Sequence, residues 1–231
     1  MRRLGRSLDG EIGPEFDGVS GPHFSADGQR FAYFAGRNTA EDAKKWVVIV
    51  DGVPGPEFDA IRAVGPLPLS LADGHFVGTV FSADGQHVTY GGRIGPEKDG
   101  RWHMVRDGVL GPDFDDVSYP ATSPDGKRFA YIAVQGRDHF VVLDGQRGPV
   151  ARSGGADAPR PIGVALLFSP DSRHLAYTAR FGKKWCVVFD GQPGREFAEI
   201  YPNGPSFLQD GSLQYMARNG DVIFRVTLAP E

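Results

Sequence analysis

The chain has 231 residues, with 25 Lys and Arg against 29 Asp and Glu, and a formal net charge of −4. Without a basic stripe it has no electrostatic footprint for nucleic acid, and its one cysteine, Cys186, can build neither a disulfide framework nor a multi-cysteine zinc site. Hydrophobic residues at 40% supply a core, while 32 Gly and 18 Pro scattered along the whole chain mean many turns and therefore many short strands.

The opening MRRLGRSLDG has arginines with no apolar stretch behind them, unlike a secretory leader. No segment reaches the ~18 apolar residues of a membrane span. These features predict a soluble cytoplasmic protein, or a periplasmic or secreted one if a leader has been removed. Two landmarks then alternate along the chain. The first is a turn, FSADG at Phe24–Gly28 and Phe81–Gly85, TSPDG at Thr122–Gly126, FSPDS at Phe168–Ser172 and FLQDG at Phe207–Gly211. The second is an Asp-Gly pair beginning at Asp9, Asp51, Asp107, Asp144 and Asp190. After it comes GPEFD at Gly13–Asp17 and Gly55–Asp59 or GPDFD at Gly111–Asp115, decaying to GPV at Gly148–Val150 and GREFA at Gly194–Ala198. Asp-Gly suits tight hairpins, because Gly accepts positive φ and Asp bonds nearby backbone.

Between the landmarks lie runs rich in Val, Ile and aromatics. Tyr33, Tyr90, Tyr131 and Tyr177 each stand six residues after a turn aspartate, and Tyr215 stands one earlier. Trp46–Val50, His139–Leu143 and Trp185–Phe189 precede the second landmark. No helical period persists. Each unit thus predicts four antiparallel strands: A ending at the first turn, B carrying the tyrosine, C carrying the β-branched run, and D carrying the GPEFD phenylalanine. The last unit has A, B and a C at Val222–Leu228 but no D, whereas the N-terminus has a D at Ile12–Asp17 with no A or B. The expectation is an all-β, five-bladed β-propeller, one domain over residues 1–231 and a monomer, with the N-terminal strand completing the last blade and removing its free edge.

FSADGQRFAY at Phe24–Tyr33 and SPDGKRFAY at Ser123–Tyr131 carry a family resemblance. They resemble the bacterial WD-repeat-like propeller repeat found in TolB, and the resemblance covers almost the whole chain. It implies a propeller fold. It implies no particular role, because that repeat serves many.

In such a blade the A–B and C–D turns share one face, so both Asp-Gly landmarks should lie together. Spacing puts the irregularity elsewhere. Asp51 to Asp84 is 33 residues and Asp144 to Asp171 is 27, against 18 for Asp9 to Asp27 and for Asp107 to Asp125. The excess is assigned to D–A connections at 61–78 and around 151–162. Asp27 to Asp51 at 24 and Asp84 to Asp107 at 23, against 19 elsewhere, lengthen two B–C loops. Function is therefore expected on the D–A/B–C face. Candidate binding residues there are His23, Tyr119, Tyr201, the loop residues Leu67, Leu69 and Leu71, and an arginine after each B strand: Arg37, Arg93, Arg137, Arg180 and Arg218. These arginines read either as a collar for a carboxylate or phosphate or as repeated ion pairs within the blades.

Chemistry finds little support. The expected A strands, Val19–Phe24, Gly78–Phe81, Val117–Thr122, Val164–Phe168 and Tyr201–Phe207, contain no Asp or Glu, which argues against glycoside hydrolysis. The six histidines lack metal-ligand spacing, and there is no nucleophile elbow, P-loop or dinucleotide fingerprint. Asp73 and His75 are the one conceivable catalytic pair. The leading expectation is a non-enzymatic scaffold for a protein or peptide, with no cofactor, metal, nucleic acid or membrane. Alternatives are a lectin-like propeller for a small ligand or glycan, an enzyme with loop-borne groups, or a designed repeat protein.

Overall fold

A computed structural model describes residues 7–8, 11–12, 15–19, 22–38, 44–62, 80–152, 161–163, 165–201 and 204–229. They group into two compact units, Met1–Val117 and Ser118–Glu231. Every regular element among the described residues is a β-strand.

A short pair, β1 (Ser7–Leu8) and β2 (Glu11–Ile12), opens the first unit. Sheet 1 follows, with β3 (Gly18–Val19) and β4 (His23–Phe24) both on β5 (Phe31–Asn38), then β6 (Lys44–Val50) and β7 (Val53–Phe58). Sheet 2 repeats this with β8 (Ala60–Arg62) and β9 (Val80–Phe81) on β10 (Val88–Ile94), then β11 (Arg101–Arg106) and β12 (Val109–Phe114). Sheet 3 has β13 (Asp116–Thr122), β14 (Phe129–Gln135), β15 (Asp138–Leu143), and β16 (Gln146–Arg147) with β17 (Ala151–Arg152) on its outer edge. The boundary between units falls inside β13. Sheet 4 has β18 (Leu167–Phe168), β19 (Leu175–Phe181), β20 (Lys184–Phe189) and β21 (Gln192–Pro193). Sheet 5 has β22 (Glu199–Ile200) and β23 (Ser206–Phe207) on β24 (Leu213–Asn219), then β25 (Val222–Leu228). The predicted A-B-C-D order thus holds in four sheets, and the fifth has A, B and C.

The two landmarks sit side by side, as expected, because they bond to each other. In the first turn the Ser25 hydroxyl donates to Asp27, Gln29 N donates to Asp27 Oδ1 at 3.1 Å, and Arg30 N donates to Ser25 Oγ at 3.0 Å. In the second, Asp51 holds φ 50°, with Gly52 after it at 83°. Its Oδ1 accepts from Phe31 N at 2.9 Å and its Oδ2 from Arg30 Nε at 2.8 Å, tying the C–D turn to the start of strand B. Asp107, Asp144 and Asp190 repeat this on Val88, Phe129 and Leu175. The basic partner alternates. Arg30 and Arg128 also donate to the carbonyls of Gln86 and Arg173 in the following sheet. His87 and His174 place Nδ1 at 2.7 and 2.6 Å from Asp107 and Asp190.

A second device joins neighbouring sheets. In β7, Val47 faces Glu57 and Ile49 faces Pro54, so Gly55 and Pro56 form a bulge opposite Val48. Proline suits this place because a bulge leaves its missing donor unneeded. Beyond the bulge, Phe58 meets Tyr90 of sheet 2 edge to face, with centroids 6.0 Å apart and planes at 83°. Phe197 meets Tyr215 in the same way, at 6.2 Å and 82°. Gly92 admits the Phe58 ring, since a Cβ there would lie 2.4 Å from it. In the decayed fourth copy Ala151 is buried in the cluster with Tyr177 and Ala179, where Phe would otherwise stand.

Three expectations change. The long insertion does not extend the D–A connection. β8 follows β7 after Asp59 alone, and β8 and β9 both pair with β10, so residues 63–79 interrupt strand A at its middle. Strand A also begins earlier than expected in sheets 3 and 5, which puts Asp116 on β13 and Glu199 on β22. The N-terminal segment pairs locally: Leu8 faces Glu11 and Ser7 faces Ile12 around Asp9-Gly10, repeating the Val50–Val53 and Ile49–Pro54 register of the β6–β7 hairpin. Gly13 and Pro14, within the expected closing strand, lie outside the described residues.

Asp51→Ala should cost about 1–2 kcal/mol in urea denaturation, from the unpaired Phe31 amide and a left-handed φ without a tolerant side chain; Asp51→Asn should cost less. Gly55→Ala should cost on the order of 1 kcal/mol, because its Cβ would sit 3.2 Å from Tyr90 Oη and 3.3 Å from the Val48 carbonyl. Serine hydroxyls hold the carboxyls of Asp27, Asp84, Asp125, Asp171 and Asp210 below the usual range. Depressed carboxyls contribute stability above their unfolded pKa and lose it as pH falls through the folded value. Stability should therefore decline below about pH 4, and Ser25→Ala should reduce the slope measured by denaturation across pH.

Candidate functional site

The breaks in strand A are where the repeats stop resembling one another. In sheet 1 the break spans residues 20–22, between Val19 and His23, which pair with Ala35 and Ala32. In sheet 2 it spans 63–79. In sheet 3 the strand is continuous but Tyr119 turns to φ 52°, a strained value for a bulky residue. In sheet 4 Ile162 bridges Ala179 and Leu167 faces Ala176, leaving 163–166 between. In sheet 5 residues 201–205 separate Ile200 from Ser206. Strand A is the first strand in every sheet, so each break faces away from strands C and D.

The predicted residues divide around these breaks. His23 is half-buried at the end of one, and burial holds its pKa down. Tyr119 and Tyr201 are half-buried within two others. The Tyr119 ring packs against the core cluster of sheets 3 and 4, and Tyr201 N donates to the Met216 carbonyl at 3.0 Å. Leu67, Leu69 and Leu71, with Asp73 and His75, lie outside the described residues.

Four of the five collar arginines contact their own unit. Arg37 lies 4.6 Å from the Phe16 ring centroid, and Arg93 and Arg180 lie 5.9 and 5.8 Å from Trp102 and Trp185. Arg218 makes two bonds to Glu199 Oε2, at 3.0 and 2.8 Å. Arg137 sits in the exposed B–C turn of sheet 3. The two strand-A carboxylates that spacing missed are likewise paired, Glu199 with Arg218 and Asp116 with Arg62.

A polar cluster lies at the root of the long insertion. Arg62, the last described residue before it, stacks over Trp102 at 4.2 Å and donates to the Val117 carbonyl at 2.8 Å. Asp59 accepts from Gly95 N at 2.8 Å and from Lys45, and the Lys45 bond keeps its carboxyl below the ordinary range. The Nε atoms of Arg62 and Arg93 are buried without a hydrogen-bond partner among the described residues. Sequence reasoning passed over Arg62 because it was assigned to a loop. Cys186 is buried, which pushes its thiol pKa up. Among the described residues no group of three His, Cys, Asp or Glu could hold a metal ion, and no helix is long and apolar enough to cross a membrane.

No family model matches the chain, and no curated protein matches it. Similar solved structures include TolB from Acinetobacter baumannii, at 16% identity and a TM-score of 0.36 over 92% of this chain and 52% of that one. The acylaminoacyl peptidase of Pyrococcus horikoshii is similar at 9% identity and a TM-score of 0.42, over 92% of this chain and 38% of the peptidase. The β-propeller domain of the Trilobed protease from Pyrococcus furiosus is similar at 10% and 0.35, over 99% of this chain and 78% of that domain. The chain thus spans about half the length of TolB and less of the peptidase.

Proposed function

We propose that the chain is a TolB-like, five-bladed β-propeller serving as a non-enzymatic scaffold that engages a protein or peptide partner. Four sheets with one strand order, and an edge-to-face contact that recurs between sheets 1 and 2 and between sheets 4 and 5, support the repeat. The repeat register also supports closure. Trp46 faces Phe58 in sheet 1, and the equivalent residues at the ends of the chain are Ile223 and Phe16. Phe16 is already buried with Tyr33 and Ala35, much as Phe58 is with Tyr90. Residues 15–17, beyond the β1–β2 pair, would then lie along β25.

The observation that carries the binding reading is the place of the sequence divergence. The turns and locks recur almost unchanged, while every break in strand A differs in length or residue type. In a propeller, strand A lines the central channel, so the breaks would surround its mouth, and the insertion at 63–79 would be the largest feature there. Variable segments on a repeated, rigid frame are the usual way such folds acquire partners.

Replacing residues 63–79 by Ser-Gly-Pro, the connection at 20–22, tests this. The unfolding midpoint should stay close to that of the parent, because β8 and β9 keep their ladders. Proteins captured from the native cell by the parent chain should be lost by the variant. An unchanged captured set would remove the insertion from the binding surface.

A further inference from the structure

The turn side of the first unit contains a cavity of about 330 Å³ between the β6–β7 hairpin and sheet 2. Its apolar wall is Val48, Val50, Val53, Pro54 and Val88. Tyr90, 1% exposed, is among its lining residues, and its hydroxyl has no hydrogen-bond partner among the described residues. Burial raises the phenol pKa, so the group stays a neutral donor and acceptor. An unmatched buried hydroxyl is costly, and a partner that reaches it from the cavity recovers that cost.

The mouth is charged but balanced. Asp51 and Asp107 line it and are 38% and 41% exposed at the side chain. Asp51 is bonded to Arg30, which also lines the cavity. Asp107 is bonded to His87, with Arg106 Nε 3.9 Å away. A charged ligand would have to displace one of these partners, whereas a neutral one need not. Apolar surface continues outward, with Val53 68% and Val109 71% exposed.

The second unit supplies a control. Tyr177 also has a buried hydroxyl without a partner among the described residues, beside the bulge glycine, Gly148. There the hairpin positions of Val53 and Pro54 are held by Gln146 and Arg147. The inner hydroxyl therefore belongs to the repeat, while the apolar lip is particular to the first unit.

We propose that this cavity binds a small uncharged molecule with an apolar body and a single hydroxyl or carbonyl tip, such as a phenol, with the tip bonded to Tyr90 Oη. Its volume is at the low end for ligand pockets, which suits about a dozen non-hydrogen atoms or fewer. The site lies on the turn side and uses none of residues 63–79, so it stands independently of the partner-binding reading.

Ligand-observed NMR with phenol, toluene, benzyl alcohol, benzylammonium and benzoate tests it on the intact chain. Phenol should bind more tightly than toluene by about five-fold, the worth of one hydrogen bond. Tyr90→Phe keeps the ring against Phe58 and should erase that preference while leaving the thermal midpoint unchanged or higher. Pro54→Arg, copying the second unit, should weaken every ligand. Benzyl alcohol should exceed both charged analogues. The proposal is overturned by the absence of phenol binding at millimolar concentration, by a preference that survives Tyr90→Phe, by binding indifferent to Pro54→Arg, or by a charged analogue binding best.

Discussion

The contact on which the rest depends is one aromatic ring crossing from sheet to sheet. Phe58 leaves the outer strand of sheet 1 and lands edge-on against Tyr90 on the second strand of sheet 2. Burying such a ring contributes roughly 1.5–3 kcal/mol, and the edge-to-face geometry roughly 0.5–1.5 more. Three sequence features serve it. The Gly-Pro bulge aims the strand, Gly92 makes room for the ring, and the tyrosine provides the face. A four-stranded sheet alone would leave one side wet, so its stability depends on the next sheet supplying that partner.

The turns contribute differently. Asp51, Asp107, Asp144 and Asp190 each use one carboxylate to cap a strand start and to hold a basic side chain. These groups are partly exposed, so their charge contributes modestly. Their larger effect is geometric, because they fix where strand B begins relative to strand D and hence where tyrosine and phenylalanine meet. With the frame set on that side, strand A can be cut without loss of register. That is why sheet 2 carries residues 63–79 in the middle of a strand and still pairs on both sides of the cut.

Much of this was legible in the sequence. The four-strand order follows from the two landmarks, since a turn aspartate and a tyrosine six residues later leave a strand only one way to face inward. The cut in strand A was not legible. Ala60, Ile61 and Arg62 follow directly on GPEFD and read as loop, because three residues are too few to show alternation. Asp116 and Glu199 were hidden for the same reason, Asp116 standing one step and Glu199 two steps before a recognisable run. The clamping role of Arg30 and His87 had a visible signal, a basic residue three positions after the turn aspartate in Arg30, His87, Arg128 and His174. It went unread because Arg and His look unrelated until both are seen holding the same carboxylate.

The decayed fourth copy has a consequence for how the chain comes apart. Where Phe58 and Phe197 bridge their sheets with a full ring, Ala151 offers a single methyl. In repeat proteins stability is close to a sum of nearest-neighbour terms, so a weak term stays local and is not averaged away. At the seam between sheets 3 and 4 that term is made up by aliphatic packing, since Ile162, Leu166 and Leu175 are buried with Ala151 and Tyr177. A lost ring need not mark where the chain opens first, because aliphatic side chains of the neighbouring segment take its volume.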